Sequence, residues 1–293
     1  MKIERVAVIG AGFMGSGIAQ VSAQAGYAVT LVDVDDERLS FALESIEWSL
    51  SKLENKEVLE APASVVAARI ETSTDYDAAH NADLVVEAVY EDIETKLATI
   101  RALDDVCRAD AIVGSNTSTI PITRLAAASR HPGRVIGMHF FGPVPLMRLL
   151  EVIPHPTTQH AVIDAVLAFG RSVGKRPVLV KKDVPGFIMN RIFGAMACEA
   201  IRLVEDGIGT IDDIDQGMCD GFNLRVGPLC IADLAGLDIA LNAFQVMHDL
   251  DPVRLPAPPA LLVRMVEAGK LGAKSGEGFY RWGKNGKRLG PVF

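Results

Sequence analysis

Over the first 180 positions, short dense runs of apolar residues are separated by longer stretches of helical character, which is the alternation of a parallel α/β sheet. The runs predict strands over Ile3–Ile9, Ala28–Val32, Leu84–Glu87, Ala111–Gly114, Arg134–Met138, Arg148–Ile153 and Pro177–Val180. Between the second and third lies a long segment, Asp35–Ala68, with a helix expected over Glu37–Leu53. It exceeds what a crossover needs and suggests a helical hairpin, either decoration or a lid over a substrate. After Lys182 the strand-like runs stop. The pattern then predicts helices over Gly186–Asp206, Ile211–Cys219, Pro228–Leu250 with a break at Gly236, and Pro258–Glu267. Their ends fall at Gly207, Gly209, Gly221 and a Pro-rich run at 254–259. The boundary is therefore set at 182: a mixed α/β domain over 1–182 and an all-helical domain over 183–293.

The first strand runs directly into Gly10-Ala11-Gly12-Phe13-Met14-Gly15 and then the apolar helical stretch Ile18–Ala25. This is G-x-G-x-x-G with a strand before it and a helix after it, the context that makes the motif a dinucleotide loop. Gly10 permits the tight turn, Gly12 lets backbone approach a pyrophosphate, and Gly15 lets helix pack on strand. The helix N-terminus offers N–H groups to the phosphates. The fold class is thus a Rossmann-type doubly wound sheet followed by a helical C-terminal domain. The second strand ends at Asp33, which suits the ribose hydroxyls of NAD and repels the 2′-phosphate of NADP. The following residues, Val34, Asp35 and Asp36, supply no arginine for NADP. NAD is the expected cofactor.

Polar residues gather where other strands end. Glu91 and Lys96 follow the apolar run Leu84–Val89, and Ser115-Asn116-Thr117-Ser118 closes the next strand. Carboxyl ends of parallel strands face the ligand crevice, although short polar residues there also serve as caps and turns. Next come His139, after RVIGM, and Glu151, after LMRLL, twelve positions apart with a corner of Gly142, Pro143 and Pro145 between them. That spacing accommodates strand, corner and strand. A histidine steadied by a carboxylate is a tuned general acid/base; a lone core histidine bonded to a carbonyl is the plainer alternative.

Composition narrows the class. The 293 residues are 49% hydrophobic and 23% charged, ordinary for a globular protein of about two domains. No run of about 18 apolar residues predicts a membrane span, and the opening MKIERVAVIGAG has no signal-peptide pattern. A formal charge of −8 argues against nucleic acid or an anionic membrane as partner. Four scattered cysteines, Cys107, Cys198, Cys219 and Cys230, fit a reducing, cytoplasmic compartment. No histidine/carboxylate cluster has metal-ligand spacing.

GAGFMGSGIAQ, SNTSTIPI, GMHFFGPVPLMRLLEVI, VPGFIMNRI and KSGEGFY, in this order along nearly the whole chain, resemble the L-3-hydroxyacyl-CoA dehydrogenase family. The resemblance implies NAD-dependent oxidation of a (3S)-3-hydroxyacyl-CoA, such as 3-hydroxybutyryl-CoA, in fatty acid metabolism, by a homodimer. His139 would be the base and Glu151 its orienting partner. Ser118 and Asn190 would hold the reacting oxygen, and Glu91, Lys96 and Lys274 would line the cofactor site. One position departs: Gly142 stands where the family usually has asparagine, which removes a hydrogen-bonding group beside the nicotinamide. Lys52 and Lys56 are the only convenient basic pair for the CoA phosphates, and Glu44, Glu47, Glu54 and Glu57 surround them. EVIPHPTT at 151–158 and EAIRLVEDGI at 199–208 are also similar to relatives acting on free hydroxy acids such as gulonate, or on carnitine. An enzyme of the 6-phosphogluconate type would need a lysine within Val184–Ala200, where Asn190 and Arg191 stand instead. A protein that holds NAD without turnover is disfavoured by the intact His/Glu/Ser/Asn set.

Overall fold

The computed structural model describes residues 1–292 and divides after Val184 into two compact units. In the first, strands β1 (Arg5–Ile9), β2 (Ala28–Val32), β3 (Ile70–Ser73), β4 (Leu84–Glu87), β5 (Ile112–Ser115), β6 (Val135–Phe140), β7 (Leu149–Ile153) and β8 (Arg176–Leu179) form one sheet. Their order is β3-β2-β1-β4-β5-β6-β7-β8. Chain order runs outward from β1 in one direction and from β4 in the other, so the topological switch point lies between these two strands. Ligands of doubly wound sheets bind outside the carboxyl ends at that point. All neighbouring strands are parallel except β6 and β7, which pair antiparallel.

The central strands are apolar because both faces are covered. Val6, Val8, Leu84, Val86 and Ile112 are buried in one core with residues of helices α1 (Phe13–Gln24), α2 (Asp36–Glu54), α3 (Ala63–Ala67) and α6 (His160–Ser172). Helices α4 (Ile93–Val106) and α5 (Ile122–Ala126) bury Ile100, Leu103, Ile122 and Leu125 as well. Helix α1 buries Gly15, Ser16, Gly17, Ala19 and Ala23, small residues that let it lie close to the sheet. Asp35 caps α2 by accepting from the Arg38 amide at 2.8 Å, and Asp92 caps α4 by accepting from the Thr95 amide at 2.8 Å.

Two elements of this unit escape the apolar pattern. β3 is the edge strand Ile-Glu-Thr-Ser, in which only Ile70 is buried, so no dense run marks it. The chain also places His139 inside β6, where the pattern had ended the strand at Met138.

The second unit, from Pro185 on, packs α7 (Met189–Glu205), α8 (Ile211–Phe222), α9 (Pro228–Ala235), α10 (Leu237–Leu250) and α11 (Ala260–Glu267) around Ala197, Ile201, Leu229, Leu237, Phe244 and Leu262. At Gly236, φ is +98° and the chain turns by 100° between α9 and α10, the break expected there. Among the described residues no single helix is long and apolar enough to cross a membrane; α9 and α10 reach that length and composition only as a bent pair, and they bury Leu229, Leu237, Phe244 and Met247 in this core. The helical pattern missed an antiparallel ribbon, β9 (Tyr280–Trp282) with β10 (Arg288–Pro291), each too short to show a period. Asp233 of α9 anchors it, accepting from the amides of Phe279 (2.8 Å) and Tyr280 (2.9 Å) and from the Trp282 indole (2.9 Å). Asp215 performs a parallel task, accepting from the first amides of α9, Leu229 and Cys230, and from the Tyr280 hydroxyl.

Gly15 offers a direct test of the first unit's packing, because a Cβ there would overlap the Gly10 carbonyl oxygen. Gly15→Ala is expected to cost about 3 kcal/mol, the upper range for overpacking, and to lower Tm by about 6–12 °C in calorimetry.

Candidate active site

The dinucleotide loop is built as its glycines require. Gly10 has φ +101°, its amide donates to the Val32 carbonyl at 2.7 Å, and a Cβ would come within 2.7 Å of the Ala88 carbonyl oxygen. Gly12 is the N-cap of α1, with no side-chain cap, and a Cβ there would meet nothing within 4 Å. An anion can therefore approach the opening amides of α1 without competing with a capping side chain. Asp33 stands at the end of β2; its carboxylate accepts from the Ala11 amide at 2.6 Å and the Val34 amide at 2.7 Å. It thus holds the loop as well as being available to a ribose. The expectation that no arginine stands nearby is corrected by Arg38, two positions beyond the residues considered. Its guanidinium lies 3.1 Å from Asp35 and 3.8 Å from Asp33 because the first turn of α2 folds back toward the end of β2. Phe13 is exposed and Met14 half-buried on the same loop.

Beside the switch point, β4 ends in Glu87, which is wholly buried. Its carboxylate accepts from Lys96 Nζ (2.7 Å), Ser115 Oγ (2.5 Å) and the Val89 amide (2.8 Å). Lys96 is only 1% exposed and also reaches the Val89 carbonyl (3.2 Å) and Glu91 (3.3 Å). The sequence reading made Lys96 a neighbour of the cofactor; in the structure its ammonium is buried and bridges two carboxylates. The Glu87 partnership was missed, since a carboxylate ending an apolar strand carries no pattern of its own. Glu91 Oε1 in turn accepts from Thr117 Oγ1 (2.7 Å), from the amides of Ser118 (2.8 Å) and Thr119 (3.1 Å), and from Ser118 Oγ (3.3 Å). Burial opposes ionisation of Glu91, but Lys96 and these donors outweigh it and hold the carboxyl below its ordinary range. The loop bearing Ser118 is therefore fixed by a charge that stays ionised.

Two strands away, the antiparallel register sets His139 opposite Glu151, and Nδ1 lies 2.7 Å from Glu151 Oε2. Glu151 is fully buried and His139 nearly so. The carboxylate accepts the Nδ1–H, which makes Nε2 the basic nitrogen of the ring. The Phe141 ring packs tilted against the imidazole, 4.4 Å between centroids and 49° between planes. Asn116 ties this strand to the Ser118 loop: its Oδ1 accepts from the Phe140 amide at 2.9 Å, and its own amide donates to the Glu87 carbonyl. Because β6, β5, β4 and β1 run parallel, His139, the Ser115–Ser118 segment, Glu91 and the Gly10–Gly15 loop all stand at one edge of the sheet. At Gly142 a Cβ would overlap the Phe13 ring and approach Met14 Sδ to 3.3 Å, so Phe13 fills the space that a side chain at 142 would take.

The remaining sequence candidates lie elsewhere. Lys52 is in the last turn of α2, its ammonium 5.6 Å from the Trp48 ring centroid, and Lys56 is exposed just beyond that helix. Asn190 is the second residue of α7, and Lys274 donates to Asp238 at 2.7 Å; both belong to the second unit. Among the described residues no group of three or more His, Cys, Asp or Glu side chains is placed to hold a metal ion.

Sequence comparison settles the lineage. A model of the 3-hydroxyacyl-CoA dehydrogenase NAD-binding domain matches residues 5–184, and a model of that family's C-terminal domain matches residues 186–282. The chain belongs to the 3-hydroxyacyl-CoA dehydrogenase family. It is 43% identical over 281 residues to a 3-hydroxybutyryl-CoA dehydrogenase of Bradyrhizobium diazoefficiens, covering 95% of each chain. It is 39% identical over 290 residues to the mitochondrial hydroxyacyl-coenzyme A dehydrogenase of Sus scrofa, covering 96% of this chain and 91% of that one. Among solved structures, the (S)-3-hydroxybutyryl-CoA dehydrogenase of Ralstonia eutropha superposes with a TM-score of 0.91 at 39% identity, covering 97% of this chain and all of that one. Membership brings NAD as the cofactor, and the open Gly12, the uncapped α1 and Asp33 fit it.

Glu91→Gln removes the ionised end of the Lys96 bridge and is expected to destabilise the protein by about 3 kcal/mol at neutral pH. Because the folded carboxyl titrates below its ordinary value of 4.5, its contribution is complete above that pH and lost as pH falls through the folded value. Urea unfolding of both proteins from pH 7 to pH 3 should therefore show the gap closing in acid.

Proposed function

We propose that this enzyme oxidises a short (3S)-3-hydroxyacyl-CoA to the 3-oxoacyl-CoA, reversibly, with His139 as general base. The observation that carries this reading is the 2.7 Å bond between His139 Nδ1 and buried Glu151, at the sheet edge that also bears the dinucleotide loop. Oxidation of a secondary alcohol removes a proton from oxygen and a hydride from carbon; NAD, when bound, supplies the hydride acceptor. His139 Nε2 takes the hydroxyl proton, and Glu151 stabilises the imidazolium and keeps the ring in register. Ser118, on a loop fastened by Glu91 and Asn116, donates to the oxygen as negative charge develops there. Asn190 is assigned the second donor on the resemblance of VPGFIMNRI alone, and Lys274 a place beside the cofactor on that of KSGEGFY. In reduction His139 returns the proton to the same oxygen.

The thioester reading rests on the family and on relatives named for 3-hydroxybutyryl-CoA. Exposed Lys52 and Lys56 supply the positive charge for its phosphates. A cytoplasmic homodimer completes the proposal. All four cysteines are free thiols, as a reducing compartment requires, and the second unit exposes Ile192, Phe222 and Ile239, apolar side chains suited to a partner subunit. The charge of −8 leaves nucleic acid and anionic membranes outside its partners.

His139→Ala is expected to lower kcat by about 10²–10⁴-fold, the usual worth of a general base. Glu151→Gln should lower it by about 10²-fold or more by favouring the wrong tautomer. NADH absorbance with acetoacetyl-CoA checks both, alongside circular dichroism to confirm folding. Near-wild-type kcat in either folded variant overturns the roles. Faster turnover of free acetoacetate or a sugar acid than of the thioester overturns the substrate.

A further inference from the structure

We propose that Lys175 is a positioning residue, holding the loop at 142–147 against the dinucleotide helix α1 and so setting the enzyme's affinity for NAD. Lys175 is 7% exposed and just precedes β8. Its ammonium donates to the carbonyls of Val144 (2.5 Å) and Met147 (3.0 Å), and no carboxylate pairs with it among the described residues. Burial lowers its pKa to about 8. A cation taken out of water without a counter-charge is costly, and here two carbonyl dipoles of one loop are the compensation. A side chain with a single donor could not satisfy both.

That loop joins the two catalytic strands, leaving β6 after His139 and returning as β7 toward Glu151. Its turn is closed by the amides of Leu146 and Met147 on the Pro143 carbonyl. Lys175 grips one side, and α1 receives the other. A Cβ on Gly17 would lie 2.8 Å from Val144 Cβ and 3.5 Å from Pro145 Cδ, so Val144 is seated on bare backbone in the second turn of α1. One residue pair earlier, Gly142 sits under Phe13 and Met14, the two central residues of the dinucleotide loop. Lys175 therefore presses a rigid turn onto α1 at both the pyrophosphate loop and the turn behind it. The His139–Glu151 bond is fixed by strand register and does not depend on this grip.

The inference rests on NAD binding at Gly10–Gly15, not on the base chemistry of His139, so binding of NADH without any thioester tests it separately. Lys175→Met and Gly17→Ala are made singly and together in the full chain, with NADH affinity read by fluorescence titration. Each is expected to raise the Kd for NADH and the KM for NAD about tenfold with kcat within about threefold; the pair should raise them by much less than about a hundredfold, because both release one contact. Val144→Gly in the Gly17→Ala background should restore affinity, a readout that survives even if Lys175→Met fails to fold. Unchanged NADH affinity in folded Lys175→Met, fully multiplicative effects in the pair, or no restoration by Val144→Gly overturns the proposal.

Discussion

One reversal of strand direction organises the site. Six of the seven neighbouring strand pairs in the first unit are parallel, but β6 and β7 are joined by a short loop and pair antiparallel. In an antiparallel pair, residues directly opposite each other have side chains on the same face and close together. That geometry delivers Glu151 to His139 without any adjustable segment, and it does so in the interior. A carboxylate at such a position cannot wander to solvent, so the imidazole is held by the same forces that hold the sheet.

The second support is electrostatic. Glu87, Lys96 and Glu91 form a buried chain of alternating charge that begins under β4 and finishes on the backbone of the Ser118 loop. Such a chain is expensive to assemble, since each charge leaves water, and is justified only when every partner is satisfied. Here Glu87 accepts three hydrogen bonds, and Lys96 finds three acceptors. Asn116 then links the loop to Phe140, one residue from the histidine. His139 and Ser118 are thus referred to a common frame even though one sits on β6 and the other on the loop after β5.

How much of this was legible in the chain depends on whether a feature is local. The Gly10–Gly15 turn, β2 ending in Asp33 and the break at Gly236 were all readable, because each is fixed by the conformational needs of a few neighbouring residues. The His139–Glu151 pair was readable because its spacing matches a strand, corner and strand, though the direction of pairing had to come from the sheet. β3 was not readable: an edge strand with one buried side chain has no periodic signal. The buried partners of Lys96 were not readable for a related reason. Its neighbours in sequence are exposed helix residues, while its partners lie five and nine positions away, and nothing local announces a buried cation. Arg38 was overlooked because helix geometry, not adjacency, carries it back to Asp33. Lys175 is the extreme case, with partners about thirty positions distant.

Asp233 makes two distant parts of the second unit melt as one. Its three partners, at 279, 280 and 282, lie 46 to 49 positions further along the chain than α9. If the ribbon peels away, α9 is left with a carboxylate facing the core without its donors, a penalty of the kind that an unpaired buried charge carries. Phe279 and Tyr280 belong to the same core as Leu229 and Leu237, so their departure opens apolar surface as well. Local fraying of β9 is thereby suppressed, and a segment too short to be stable alone shares the cooperativity of the helices.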